Sequence, residues 1–479
     1  MSTRQLTNVV ILVNDQHAHD ALGCAGYGPL KTPVVDRLAA DGVRFTQSTC
    51  ACTPCLPSRH NLFHGLYSLQ TGIYTNSHRM LPEDIPEFTM GKIFSMAGYE
   101  TASCGKMHWF PYHAPVERDR YFGFGYRAGH FYETGEKMDT HFTAAHRNWR
   151  EALTAEHKAH GISKGGDSCA ADYVGFDSAL PLSKYSDWFS AERAAEFIDK
   201  NAHKPFLAVC SLNYPHAPHV PAADYAGMYD PETVPLPPEE PEGLTDAEDY
   251  HKFDGLDRDG LKMVIARYMA GISQADACHA QVLDALDRNG LYDESLIIFL
   301  SDHGELLGSR GTSAFSKYNL YDQSIRVPLI IKPPKSMNAQ AGITCDSLVS
   351  LVDILPTVMS VAGIEGCHRL PGIALAPHLR GEKPERDVAL TEYVAKGNKL
   401  FTAIRGRKWK LILGQHGEEL YHIANDPYEF ENLVSEPGSA DIIATLKSHL
   451  LSEYQRIFRS NAEDARSFEH QEWSVMMDR

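Results

Sequence analysis

No stretch of this sequence approaches the roughly 20 apolar residues needed to cross a bilayer. The first apolar run, 9–13, is too short for the core of a secretory signal, and Asp15 follows it almost at once. These absences lead us to expect a soluble, cytoplasmic protein with no membrane partner. Internal repeats and low-complexity tracts are also lacking, and Gly and Pro are scattered, which excludes solenoids and disordered linkers. Positive charge is scarce. The 45 Lys and Arg face 62 Asp and Glu, for a formal charge of −17. Such a field argues against a nucleic-acid partner, although a pocket can still concentrate cations around a small anion. Ten cysteines are present, but Cys52-Thr53-Pro54-Cys55 is the one C-x-x-C, with no second to complete a metal site. In a long chain without a secretory signal, most of these thiols are expected to be buried and unpaired.

What the chain does have is core. With 479 residues, 43% of them hydrophobic, it suits one large domain and a smaller one. The run 8–13 (NVVILV) predicts a strand buried on both faces. Helices are predicted over 32–41 and 57–66, and strands over 99–105 and 205–213. A polar stretch of roughly 125–183 shows little periodicity and is a candidate for shaping substrate access. A long helix is predicted over 259–289, then strands over 295–300 and 327–331 and a helix over 347–362. Alternating buried strands and helices predict an α/β fold, a doubly wound, mostly parallel sheet flanked by helices. Beyond about 375, short strands at 408–412 and 419–422 and a helix at 439–458 predict a smaller α+β subdomain. The expected division is 1–375 and 376–479. Asp15-Gln16, Lys106-Met107-His108, His216 and Asp302-His303 each follow the C-terminal end of a predicted strand, where open α/β sheets bind ligands.

Read one by one, these residues keep plainer alternatives. The C-x-x-C suits redox chemistry, and Asp302-His303-Gly304 suits a helix cap and turn. A lone lysine is usually solvated, Arg59 suits a surface ion pair, and most of the 24 histidines should be structural.

Cys55-Leu56-Pro57-Ser58-Arg59 is the sharpest motif. This C-x-P-S-R resembles the maturation motif of the type I, formylglycine-dependent sulfatases of the alkaline phosphatase superfamily. Phe63 and Gly65 continue the family pattern, and His64 stands where the family has Thr. The resemblance implies that Cys55 is oxidised to formylglycine by a maturase. One hydroxyl of the hydrated aldehyde would attack sulfur and the other would later expel sulfate.

The resemblance further implies that Asp15, Gln16, Asp302, His303 and the residue made from Cys55 bind a divalent cation. Calcium is the first choice, with manganese and magnesium as alternatives. Lys106 and Lys317 would bind sulfate oxygens, and His108 would support the nucleophile. His216, in Pro215-His216-Ala217-Pro218, would protonate the leaving oxygen, with His219 as the rival. Arg59 would bridge the metal-side carboxylates and the nucleophile. Asn76 and His78 are candidates to line the pocket. The run RKWKLILGQHGEELYHIANDPYEFENL, 407–433, extends the resemblance to the C-terminal region.

The implied activity is hydrolysis of a small sulfate monoester. The alternative is a phosphonate monoester hydrolase or phosphodiesterase of the same superfamily, whose metal pairs also resemble Asp15-Gln16 and Asp302-His303. A non-catalytic protein that binds sulfated ligands is the rival of another class. The final tail, with apolar residues and no obvious local partner, makes a second copy of this chain a candidate partner.

Overall fold

The computed structural model describes residues 6–76, 88–109, 123–129, 152, 155–160, 174–241, 256–310, 315, 317–366, 370–382, 386–395, 397–415 and 417–459. The larger of two sheets contains β1 (Val9–Asp15), β2 (Val43–Thr49), β3 (Glu100–Gly105), β4 (Tyr126–Gly129), β5 (Phe206–Pro215), β6 (Leu296–Ser301), β7 (Leu329–Lys332) and β8 (Ile343–Ser350). Their order is β4-β3-β5-β1-β6-β7-β2-β8. All neighbours are parallel except that β7 runs antiparallel to both β6 and β2.

β1 is central, and its sequence shows why. Val9, Ile11 and Val13 point into one buried cluster, while Val10 and Leu12 point into another on the opposite face. A strand covered on both sides must be apolar at every position, as NVVILV is. The helices Ser186–Asn201 and Arg258–Arg288 contribute to the second cluster, and Ile354–Ala362 to the first. Among the described residues, no helix is long and apolar enough to cross a membrane.

The smaller sheet, β9 (Ala389–Ala395), β10 (Lys399–Arg405), β11 (Lys410–Gly414) and β12 (Gly417–Tyr421), is an antiparallel meander. Its β9 docks on the segment before Cys55. Glu392 donates its N–H to the Ala51 carbonyl at 2.9 Å, and Thr391 Oγ1 donates to the Cys50 carbonyl at 2.6 Å.

Two sequence expectations shift. The helix expected over 57–66 is Cys55–His64, so Cys55 itself opens it, with Pro54 as its extended cap residue. The helix expected over 347–362 is wrong in its first third. β8 runs through Ser350, and the helix proper is Ile354–Ala362.

Candidate active site

Two adjacent parallel strands end side by side. Asn14 of β1 is in register with Ser301 of β6, so Asp15-Gln16 and Asp302-His303 leave the sheet next to each other. β3 delivers Lys106 and His108 at the same end, and β5 delivers His216. Gly105 makes the β3 exit feasible. Its φ is +95°, and a Cβ there would lie 1.9 Å from the Ser211 carbonyl oxygen.

The helix Cys55–His64 closes over these strand ends and inserts Arg59, which is fully buried. Its guanidinium donates through Nε to Asp302 Oδ2 at 2.8 Å and through Nη2 to Asp15 Oδ2 at 2.8 Å. Nη1 donates to the Lys106 carbonyl at 2.6 Å and to Ser211 Oγ at 2.8 Å. A planar fork with fixed donors is suited to holding two carboxylates in one geometry. Lys106 Nζ adds a third cationic contact, 2.8 Å from Asp15 Oδ2.

Cys55 Sγ lies where these groups converge, 3.0 Å from His303 Nε2 and 3.8 Å from Asp15 Oδ1. His303 Nδ1 is 3.0 Å from the Gly304 carbonyl, which can only accept, so the proton sits on Nδ1 and Nε2 faces the sulfur. Burial and Asp15 push the Cys55 thiol up. Lys317, Lys106 and His303 outweigh them and hold it well below an ordinary thiol. Its place at a helix N-terminus acts in the same direction. His108 is buried against the same sulfur, and burial pulls its pKa down, keeping the ring neutral.

One ligand atom each from Asp15, Cys55, Asp302 and His303 can be chosen so that all lie within 4.8 Å of one another, and all four residues are buried. Burial, aided by Asp15 and opposed by Arg59, raises Asp302 to about 6. Asp15 itself is held well below the carboxylate range. Burial opposes this, but Lys106, His216 and Arg59 prevail. A buried carboxylate left partly uncompensated, beside a second one and an imidazole nitrogen, is a donor set that fits a hard divalent cation.

Gln16 joins as a buried residue, with φ at +62°. Its Oε1 accepts from Lys317 Nζ at 2.9 Å, and its Nε2 donates to Glu305. Lys317 Nζ is also 2.6 Å from His216 Nε2, while His216 Nδ1 is 2.6 Å from the Ala217 carbonyl. An ammonium only donates, so His216 presents Nε2 as an acceptor to Lys317. His216 Nε2 lies 3.8 Å from Asp15 Oδ1. Its rival His219 stacks edge-on against the Tyr268 ring, with centroids 5.5 Å apart.

Cys55, Arg59, Lys106, His108, His216, Lys317, Asp15, Gln16, Asp302 and His303 therefore share one site. Asn76 stands beside the start of the Cys55–His64 helix. Its Oδ1 accepts the Leu56 N–H at 2.9 Å, in the first turn of the Cys55–His64 helix, and its Nδ2 is 3.4 Å from Tyr318 OH. That makes it a support for the helix end. His78 lies outside the described residues. Cys52 and Cys55 are both free thiols, so the C-x-x-C forms no disulfide. Sequence reasoning missed Ser211, whose hydroxyl takes a bond from Arg59, and Glu305. The one signal for Glu305 was its place three residues after Asp302.

The Sulfatase family model matches residues 7–364, and the model "N-sulphoglucosamine sulphohydrolase, C-terminal" matches 311–456. An ulvan-active sulfatase of Formosa agariphila is 30% identical over 444 residues, covering 90% of this chain and 77% of that protein. A multifunctional alkaline phosphatase superfamily protein of Trinickia caryophylli is 27% identical, covering 93% of this chain and 94% of the other. The crystal structure of a phosphonate monoester hydrolase of Agrobacterium radiobacter superposes with a TM-score of 0.75 at 23% identity, covering 94% and 96% of the two chains.

Proposed function

This chain belongs to the sulfatase family of sulfuric ester hydrolases, and on that premise we propose that it splits a sulfate monoester into an alcohol and inorganic sulfate with a nucleophile made from Cys55. The observation that carries this reading is the position of the Cys55 sulfur, 3.0 Å from His303 Nε2 and beside Asp15. A nucleophile there shares its surroundings with the groups suited to hold a cation.

In this reading a maturase oxidises Cys55 to formylglycine, and the hydrate attacks the sulfur of a small sulfated substrate. Asp15, Gln16, Asp302 and His303 hold a divalent cation, calcium first, which supplies Lewis-acid stabilisation of the ester oxygens. Lys106 and Lys317 add positive charge where charge develops on the sulfate. His216 protonates the departing alcohol through Nε2, drawing that proton from the Lys317 ammonium 2.6 Å away, which is left as the neutral amine. His108, kept neutral by burial, accepts the proton of the second hydroxyl as sulfate is expelled.

Phosphonate monoester hydrolysis is the second reading. The neutral amide of Gln16 and the imidazole of His303 make the candidate cation site less anionic than one built from acids alone. Against it stands the segment Lys106-Met107-His108, which resembles that of the sulfatases.

The test is turnover of an aryl sulfate beside an aryl phosphonate monoester, with calcium or manganese added. Cys55→Ala should lower sulfate release by at least ~10³-fold. Mass spectrometry of the peptide around Cys55 should show the aldehyde. Faster phosphonate cleavage would favour the second reading. Wild-type rates in the alanine variant would remove Cys55 from the chemistry.

A further inference from the structure

A primary amide is a poor metal ligand unless its oxygen is made to face the cation. Its two ends are almost the same shape, and a half-turn presents two N–H donors instead. Gln16 is read at both ends. Its Oε1 accepts from Lys317 Nζ at 2.9 Å, on the site side. Its Nε2 donates to Glu305 Oε2, on the far side. Glu305 is buried, and its other oxygen, Oε1, accepts the Leu307 N–H at 3.1 Å. Each carboxylate oxygen thus has a donor, and a flipped Gln16 would set its nitrogen against Lys317 Nζ and its oxygen against Glu305 Oε2.

We propose that Glu305 is a positioning residue that fixes the orientation of the Gln16 amide, so that the oxygen and not the nitrogen faces the cation. This rests on the cation site of the proposed function. It makes Glu305 part of what sets metal affinity, although it lies behind the ligand and needs no contact with the metal. The role asks for two acceptor oxygens. Glutamine at 305 has one. If that oxygen serves the Leu307 N–H, its NH2 faces Gln16 and turns the amide oxygen away from the site.

The experiment titrates CaCl2 and, separately, MnCl2 into chelator-stripped full-length protein by calorimetry. Circular dichroism and Tm confirm that each variant is folded. The isosteric Glu305→Gln should bind the cation about 10–100-fold more weakly. Glu305→Asp keeps the charge but is one methylene too short to reach Gln16. It should weaken binding at least ~10-fold, and it answers the question if Glu305→Gln does not fold. A double-mutant cycle separates orientation from charge. With the amide removed by Gln16→Met, adding Glu305→Gln should cost nothing further. Wild-type affinity in either single Glu305 variant overturns the inference, as does a full additional loss in the Gln16→Met background. Wild-type protein that takes up neither cation would instead sink the metal reading of the site.

Discussion

Arg59 is where site and stability meet in one side chain. It donates to two carboxylates, a carbonyl and a hydroxyl supplied by four different segments of chain, and none of these contacts is exposed to water. Lysine keeps the charge but has one nitrogen to offer and cannot span Asp15 and Asp302 together. Arg59→Lys should therefore cost about 2–3 kcal/mol, the scale of a lost charge-assisted hydrogen bond, seen as a lower urea midpoint. His216 allows a second test at this scale. A general acid matters most for a poor leaving group. His216→Ala should lower kcat/KM for an alkyl sulfate by about 10²–10⁴-fold and for 4-nitrophenyl sulfate much less. Equal losses on both substrates would mean that His216 serves the sulfate end of the substrate.

At the scale of elements, the strand exits carry the site, and they work only with particular backbones. Gly105→Ala would press a methyl group onto the Ser211 carbonyl at a φ of +95°. We expect it to lower stability by more than about 1 kcal/mol and to displace Lys106, detectable as a lower Tm together with a raised KM. Elements also show what could be read in the sequence. β1, β5 and β6 were legible because burial on both faces keeps them apolar until polar residues appear near their C-terminal ends. β2 was missed because Arg44, Thr46 and Gln47 interrupt it, and the structure shows those positions half-buried. The end of β8 was mistaken for helix because no Gly or Pro separates Ser347 from Ile354. The true boundary is marked by a capping box, in which Asp353 accepts the Ser350 N–H at 2.7 Å. The site residues next to the strands were legible from motifs. Glu305 and Ser211 were not, because their roles come from partners far away in the chain.

At the scale of the whole molecule, a buried ionic cluster joins the two sheets. Asp322 accepts from Arg405 Nη2 of β10 at 2.8 Å and from Lys410 Nζ of β11 at 3.0 Å. Glu429 completes it, accepting the Asp322 N–H at 2.6 Å and pairing with Lys410. Burial opposes ionisation of Asp322, but Arg405 and Lys410 hold its carboxyl well below the usual range. A depressed folded pKa stabilises above the unfolded value of about 3.9 and loses that contribution as pH falls toward the folded value. Asp322→Asn should therefore cost about 3–5 kcal/mol at neutral pH, because buried Arg405 loses its anion and Lys410 keeps only Glu429. The gap between variant and wild type should narrow as the pH drops below about 4, which a series of Tm measurements would show.

The direction of β7 has a consequence for how the chain is threaded. A parallel neighbour after β6 would have required a crossover back to the opposite end of the strands. Because β7 runs backward, with Leu329 opposite Leu300, the chain between them starts and finishes at the same end. That one excursion carries His303, Glu305, Lys317 and Asp322, and backbone bonds from Gly304 to Ser324 and from Glu305 to Gln323 pin its two limbs together. A candidate cation ligand, the acid behind its neighbour, a cationic group and the tie to the smaller sheet thus travel on a single looped-back length of chain. They can be exchanged between related proteins as one cassette, without rethreading the sheet beneath.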